Sequence, residues 1–290
     1  MLPARWHRRP LDDAFGSAPL YRGAALPSTP QSEPDLERRF GGVGRLYGAA
    51  ALQRLGRARV AVIGIGGVGS WAAEALARCA VGRIVLIDLD HIAESNANRQ
   101  IHALGDEFGK SKAIAMADRI RAINPSAEVD AVEEFVAPDN LADLVTGFDV
   151  VLDCIDQVLP KAALIAWCRQ TGQPVIVTGA AGGRTDPTRI RHTDLAAVRG
   201  DPLLSGVRRR LRRDHGFPVA APGSAAQLRA RFGVSAVFCD EVAGATVSPD
   251  AVLRHPGAGL SCTGYGSSVV VTAPLGFAAA ALALASLLGS

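Results

Sequence analysis

Residues 64–69 read Gly64-Ile65-Gly66-Gly67-Val68-Gly69, a G-x-G-x-x-G turn. Glycines at this spacing let the backbone approach a phosphate or a ribose closely. A helix opening at the last of them offers unpaired N–H groups and positive potential to an anion. About 20 residues beyond Gly69 stands Asp88, where a carboxylate can accept hydrogen bonds from ribose hydroxyls. The pattern specifies a nucleotide without saying which one. On the motif alone, an NAD-dependent oxidoreductase satisfies it as well.

A polar cluster follows directly. Asp90 is succeeded by Asn96-Ala97-Asn98-Arg99-Gln100, and then by Gly109-Lys110-Ser111-Lys112 at a helix start. Hydride transfer has no evident need for an Asn, an Arg and a Lys converging here. An enzyme that splits ATP between its α- and β-phosphates does, because negative charge spreads over the α-phosphoryl group and the leaving pyrophosphate. Fixed cations and amide donors stabilise that charge. A second acidic pair, Asp153-Cys154-Ile155-Asp156, sits at the end of a later apolar run. A carboxylate beside polyphosphate suits Mg²⁺, which takes one or two carboxylates together with phosphate oxygens. Blander readings stand beside these: Asp153 or Asp156 as a helix cap, Lys112 as a solvated helix residue.

These residues need a scaffold, and the pattern around them supplies one. Ala58–Ile63 is an apolar run rich in Val and Ile, reading as a strand buried on both faces, with a helix over Gly67–Ala80. Arg83–Ile87 is a second strand, ending at Asp88. Lys110–Ile123 is helical, stopped by Asn124-Pro125. Val129–Val132 and Phe148–Leu152 read as a third and fourth strand. A helix through Ala162–Gln170 then leads to a fifth at Val175–Thr178. Strands alternating with helices predict an α/β fold, a Rossmann-like and mostly parallel sheet wound by right-handed crossovers.

After Gly182-Gly183 the rhythm breaks. Arg199–Gly233 carries the cluster Arg208, Arg209, Arg210, Arg212 and Arg213, then a looser stretch over Pro218–Ala226, and reads as a surface excursion. Val269–Leu288 is uncharged and long enough to cross a membrane. Pro274, Gly276 and its many alanines instead favour burial in a core or a subunit interface, so membrane contact is not expected.

The bulk composition agrees. The 290 residues suffice for one large α/β domain, and 48% hydrophobic with 20% charged residues describe a globular chain. A net charge of +3 is compatible with a polyanionic partner without arguing for one. Five cysteines (Cys79, Cys154, Cys168, Cys239, Cys262), never spaced C-x-x-C, argue against a disulfide scaffold and a four-cysteine zinc site, and point to a reducing, cytoplasmic setting. Residues 1–36, rich in Pro, Arg and Ser, read as a disordered tail. They hold Arg5, Arg8 and Arg9 but no apolar stretch of a secretory signal.

Together these residues resemble the HesA/MoeB/ThiF branch of the ubiquitin-activating superfamily. Within that branch, longer strings look like its tRNA-modifying members. They are Arg39–Gly42 with Arg45–Gly48, Gly64–Arg78, Asn98–Leu104, Pro160–Ala166 and Asp201–Leu203. The resemblance covers residues 37–290 as one adenylating domain, with an extended C-terminal crossover region, a variable basic segment over 199–235 and a final apolar helix. It implies ATP and Mg²⁺ as cofactors. Gly64, Gly66, Gly67 and Gly69 would line the nucleotide, with Asp90 nearby, and Asp88 would hold the ribose. Asn98, Arg99 and Lys112 would contact phosphates, and Asp156 would bind Mg²⁺. Arg45 would reach into the ATP site of a partner subunit, so a homodimer is implied.

The substrate implied is a tRNA bearing threonylcarbamoyladenosine, whose carboxylate is adenylated before its own ureido unit closes a ring. The alternative within the branch is adenylation of the C-terminus of a ubiquitin-like sulfur carrier, and a sulfur-transfer protein is a further possible partner. The missing zinc cysteines weigh against that alternative. The arginine cluster fits a tRNA-facing surface, and equally a solvated helix face.

Overall fold

A computed structural model describes residues 35–219, 230–242 and 266–289. Cys262, most of the expected N-terminal tail and most of the stretch over Pro218–Ala226 lie outside the described residues. Leu36–Ser290 is one compact unit.

Seven strands form a single sheet: β1 (Arg59–Ile63), β2 (Arg83–Ile87), β3 (Glu128–Val132), β4 (Val150–Asp153), β5 (Val175–Thr178), β6 (Ile190–Asp194) and β7 (Ser235–Cys239). Their order is β3-β2-β1-β4-β5-β7-β6, parallel throughout except for β6, which runs antiparallel to β7 at the edge. The chain moves outward from β1 to β3 on one side and returns to lay β4 against the other side of β1. The carboxyl ends of β1 and β4 therefore bound a crevice where strand order reverses, the place where open parallel sheets bind ligands.

The strands are apolar on both faces because both faces are covered. Val60 and Val62 of β1 join a core with α3 (Gly69–Arg78) and α4 (Lys112–Ile123). Ala61 and Ile63, pointing the other way, join a core with α5 (Leu141–Val145) and α6 (Val158–Thr171). The strand alternation divides one apolar run between two cores. Two short helices, α1 (Leu36–Tyr47) and α2 (Ala49–Leu55), precede β1. Arg39 at the start of α1 donates to the carbonyls of Ala122 and Ile123 (3.1 and 2.8 Å), closing the end of α4.

The segment over 199–235 departs from the sequence expectation. Its core is α7 (Pro202–Asp214), N-capped by Asp201, whose carboxylate accepts the Leu204 N–H at 2.9 Å. Leu203, Leu204, Val207 and Leu211 recur at helical spacing and are buried beside Phe232, Val234 and Phe238. It is thus part of the second core and not a surface excursion. The arginines fill the remaining positions and dominate the composition, which hides the apolar stripe. β6 and β7 add two strands to the five expected. β6 is an edge strand, and its residues IRHTD make no apolar run.

The last helix, α8 (Val269–Leu288), is a core element. Val271, Leu275, Ala279 and Ala283, each four apart, are buried in the first core. Gly276 permits this: a Cβ there would stand 2.5 Å from the Val68 carbonyl oxygen and 3.0 Å from the Ala72 nitrogen. Trp71 of α3 meets Phe277 edge-on at 5.8 Å. By length and composition alone α8 could cross a membrane, but its packing against α3 accounts for the apolar run.

Candidate active site

Four parallel strands (β1, β2, β4 and β5) end at one edge of the sheet, and a cavity of about 880 Å³ opens there. Its size is at the upper end of the roughly 300–1,000 Å³ of small-molecule sites.

The glycine turn forms its floor. Gly64 has a left-handed φ of 85°, and a Cβ on it would meet the Cys154 carbonyl oxygen at 2.9 Å. Gly69 is buried at the start of α3, where a Cβ would collide with the Gly64 oxygen. Gly69 thus holds the helix against the strand and does not itself line the cavity. Gly66 has open space where a side chain would be, so its backbone faces the cavity bare. The aliphatic stem of Arg99 lies over Gly67, and a Cβ there would be 3.2 Å from it.

Asp88, directly after β2, braces this turn. Its two carboxylate oxygens accept the N–H of Ile65 (2.6 Å) and of Asp90 (2.8 Å). Burial pushes its carboxyl up from the usual range, against the pull of Lys112 and the two N–H donors. Lys112 opens α4 behind the Ser111 cap. Its Nζ donates to the Asp90 carboxylate at 2.7 Å, and its backbone N–H donates to the Asp90 carbonyl at 3.0 Å. It is nearly buried (9% of its side chain exposed), so it is not a solvated helix residue.

Arg99 is held from behind. Its carbonyl accepts Trp71 Nε1 (2.9 Å) and Thr272 Oγ1 (3.4 Å), and its guanidinium donates to the Ser95 carbonyl and to Asn98 Oδ1. Asn98 does not line the cavity. Its amide donates to the Ser267 carbonyl at 2.7 Å and its oxygen orients Arg99. Gln100 lines the cavity from a buried position, with Oε1 lacking a partner. Beneath, His102 is buried with both ring nitrogens unpartnered. Burial, then the charges of Lys112 and Arg119, hold its pKa down to about 4.

The two acidic residues after β4 separate in role. Asp153 is fully buried and paired with Lys161 Nζ at 3.0 Å, and Lys161 also donates to the Asp153 and Ile155 carbonyls. Asp156 is exposed on the cavity wall. Neither caps α6, whose N-cap is Gln157 without a side-chain bond. Asp156 is thus a carboxylate of the kind Mg²⁺ takes together with nucleotide phosphates. Among the described residues no cluster of three or more His, Cys, Asp or Glu could hold a metal by itself.

Several lining residues were not read from the sequence. Phe135, more than half exposed, and Val136–Pro138 follow β3 and form an apolar flank beside Leu89. They suit the flat face of a heterocycle, but a loop of this kind has no motif. Arg210 and His215, at the end of α7, also line the cavity. Arg45 of the same chain is exposed on α1 and does not line the cavity.

The described cysteines are poor nucleophiles. Burial pushes the thiols of Cys154 and Cys168 up to about 12 and raises those of Cys79 and Cys239.

The ThiF family profile matches residues 42–289. The chain is 46% identical over 254 residues to the tRNA threonylcarbamoyladenosine dehydratase of Escherichia coli (strain K12), covering 85% of this chain and 92% of that one. It is 41% identical over 255 residues to the protein of the same name from Haemophilus influenzae, with 87% and 94% covered. The crystal structure of the E. coli dehydratase in complex with ATP superposes with a TM-score of 0.77 at 45% identity, over 88% of this chain and 96% of that one. Its complex with AMP gives the same score.

Proposed function

Since the chain belongs to the ThiF family, we propose that it is an ATP-dependent adenylating enzyme, a dehydratase that cyclises threonylcarbamoyladenosine in tRNA. The observation that carries this reading is the joint placement of a bare glycine turn, Asp88, Arg99, Lys112 and Asp156 on one cavity, in a chain so similar over most of its length to tRNA threonylcarbamoyladenosine dehydratases.

The chemistry follows from those groups. The Gly66–Gly67 backbone and the first turn of α3 receive phosphate, Asp88 receives the ribose, and the Phe135–Pro138 flank receives the base. The threonyl carboxylate oxygen bonds to the α-phosphorus as the bond to the β-phosphate oxygen breaks, releasing pyrophosphate. Arg99 and Lys112 stabilise the charge that builds on the phosphoryl oxygens. Asp156 would hold Mg²⁺, which when bound neutralises polyphosphate charge. The ureido unit then attacks the activated carbonyl, gives up a proton and expels AMP. One water is lost overall.

No acyl-enzyme is required, because attack from within one molecule reaches effective molarities of about 10⁵–10⁸ M. The high thiol pKa values support that route over one through a described cysteine. A homodimer in which Arg45 serves the partner's cavity accounts for an exposed arginine away from its own site. The outward face of α8, with Val270 and Phe277 exposed, is a suitable contact for it. A reducing cytoplasm is the setting in which such an enzyme meets tRNA.

The test is direct. Protein, Mg-ATP and tRNA carrying threonylcarbamoyladenosine are incubated, and the digested nucleosides are weighed by mass spectrometry. The expected product is lighter by one water, depends on ATP, and falls about 10²–10³-fold in Lys112→Ala, with a marked loss also in Asp156→Ala. An unchanged nucleoside from folded, ATP-binding wild type would sink the tRNA assignment.

A further inference from the structure

The arginines of α7 divide sharply by environment. Arg208 is partly buried and donates to the Ala196 carbonyl at 3.2 Å. Arg212 lies over the Phe232 ring at 5.2 Å and donates to the Pro218 carbonyl. Arg213 pairs with Asp214 at 2.7 Å, facing solvent. Arg209 is exposed. Arg210 alone of the five lines the cavity.

Helix packing puts it there. At Gly206 α7 packs closely on the start of α6, and a Cβ there would stand 3.0 Å from Val158 Cγ2. Arg210 is one turn further along the same face. It therefore reaches the cavity that Leu159 and Ala163 of α6 and the glycine turn also line. Its Nε pairs with Asp214, and among the described residues no acceptor takes its terminal nitrogens. The fork is fixed at its base and open at its tip.

The cavity, about 880 Å³, is at the upper end of small-molecule sites. Its cations come from two sets of elements: Arg99 and Lys112 from the chain after β2, and Arg210 from the end of α7, with His215 following that helix. The nucleotide's phosphates engage the first set. A second anion must then come beside them, and like charges repel unless a separate cation receives it. A planar guanidinium with two free donors matches a carboxylate in bidentate fashion.

The geometry points to Arg210 as the residue that binds and orients the substrate's carboxylate for attack on the α-phosphate. This inference rests on the dehydratase reading. Arg210 is a specificity determinant for the threonylcarbamoyl group, separate from any affinity of α7 for tRNA phosphates. A phosphate contact serves modified and unmodified tRNA alike. A carboxylate contact serves only the modified one.

The experiment compares the full chain with Arg210→Ala and Arg210→Lys, using ATP and tRNA with and without the threonylcarbamoyl group. ATP affinity and melting temperature should stay within about twofold and a few degrees of wild type. AMP release on modified tRNA should fall at least about 30-fold in R210A, with partial recovery in R210K. Binding of unmodified tRNA should change less than about threefold. Wild-type turnover in R210A overturns the proposal. So does equal weakening toward both tRNAs, which would make Arg210 a backbone-phosphate contact. Should R210A fold poorly, Arg210→Gln is held to the same split. A wild-type protein that binds ATP yet leaves the modified nucleoside unchanged sinks the dehydratase reading and this inference with it. An active wild type with an insensitive R210A sinks this inference alone.

Discussion

The two walls of the cavity handle charge in opposite ways. On the β1–β2 wall, ionic groups reach the cavity with one side in water. Asp90 is 59% exposed and paired with the nearly buried Lys112, and Arg99 is half-buried. On the β4–β5 wall, the charges nearest the strand ends are sealed. Asp153–Lys161 and Arg184–Asp201 are ion pairs with no exposure on either partner. Asp201 also accepts the Ala180 N–H and caps α7, so this pair ties the loop after β5 to that helix. Among the described residues, Asp156, Arg210 and His215, each on a helix or beside one, emerge on this side. A charge at a strand end is thus not by itself a site. Burial decides whether it holds the scaffold or meets a ligand.

The sharpest way to break this contrast is at Lys161. Replacing it with Met leaves Asp153 buried without a cation, and should lower stability by about 3–5 kcal/mol, read by denaturant unfolding. Asp153→Leu combined with Lys161→Met should recover most of the loss, because a well-packed apolar pair replaces two desolvated charges. Nucleotide affinity of the double variant should change little. If Lys161→Met unfolds like wild type but loses turnover, Lys161 belongs to the site and the sealed wall is an illusion.

The next effect is smaller and lies on the other wall. His102 titrates near 4 in the fold, below its usual 6.5, because burial and the cations of Lys112 and Arg119 disfavour its charged form. Its folded pKa is depressed, so between pH 6.5 and 4 the unfolded chain binds more protons than the folded one. Stability therefore falls on acidification through that window and levels below it. The full contribution is at most about 3 kcal/mol. Unfolding of wild type and His102→Leu at a series of pH values isolates it. Wild type should lose stability relative to His102→Leu by that order from pH 7 to pH 4, and a constant difference would refute the assignment.

Much of the first wall was legible in the sequence, and for a physical reason. β1 and β2 are doubly buried, so they read as unbroken apolar runs. Gly64–Gly69 and Asp88 obey a spacing that the turn's backbone geometry imposes. Lys112 declared itself by standing at a helix start beside Ser111. The second wall was not legible to the same degree. Asp153 and Asp156 look alike in sequence, and only burial tells the brace from the ligand. Leu203, Leu204, Val207 and Leu211 were hidden among arginines, so α7 passed for a surface excursion. Arg210's place depends on Gly206 meeting Val158, a contact between segments nearly fifty residues apart that no local pattern encodes. Phe135–Pro138 line the cavity through loop conformation alone.

The smallest expected effect tests the contrast from its quiet side. Asp90 is 59% exposed, so its pair with the nearly buried Lys112 has one partner open to water and to salt. Such pairs contribute about 0–1 kcal/mol. The backbone bond from the Lys112 N–H to the Asp90 carbonyl survives substitution. Asp90→Asn should therefore lower stability by less than about 1 kcal/mol, with ATP affinity moving less than about fivefold, by thermal melting and calorimetric titration. The contrast requires the two walls to differ severalfold in what removing one ionic partner does. Should Asp90→Asn destabilise as strongly as Lys161→Met, the water that reaches Asp90 would not screen the buried Lys112, which would then behave like the sealed charges opposite. The β1–β2 wall would then be a second sealed scaffold, leaving Arg99 and the bare Gly66 backbone to meet the phosphates.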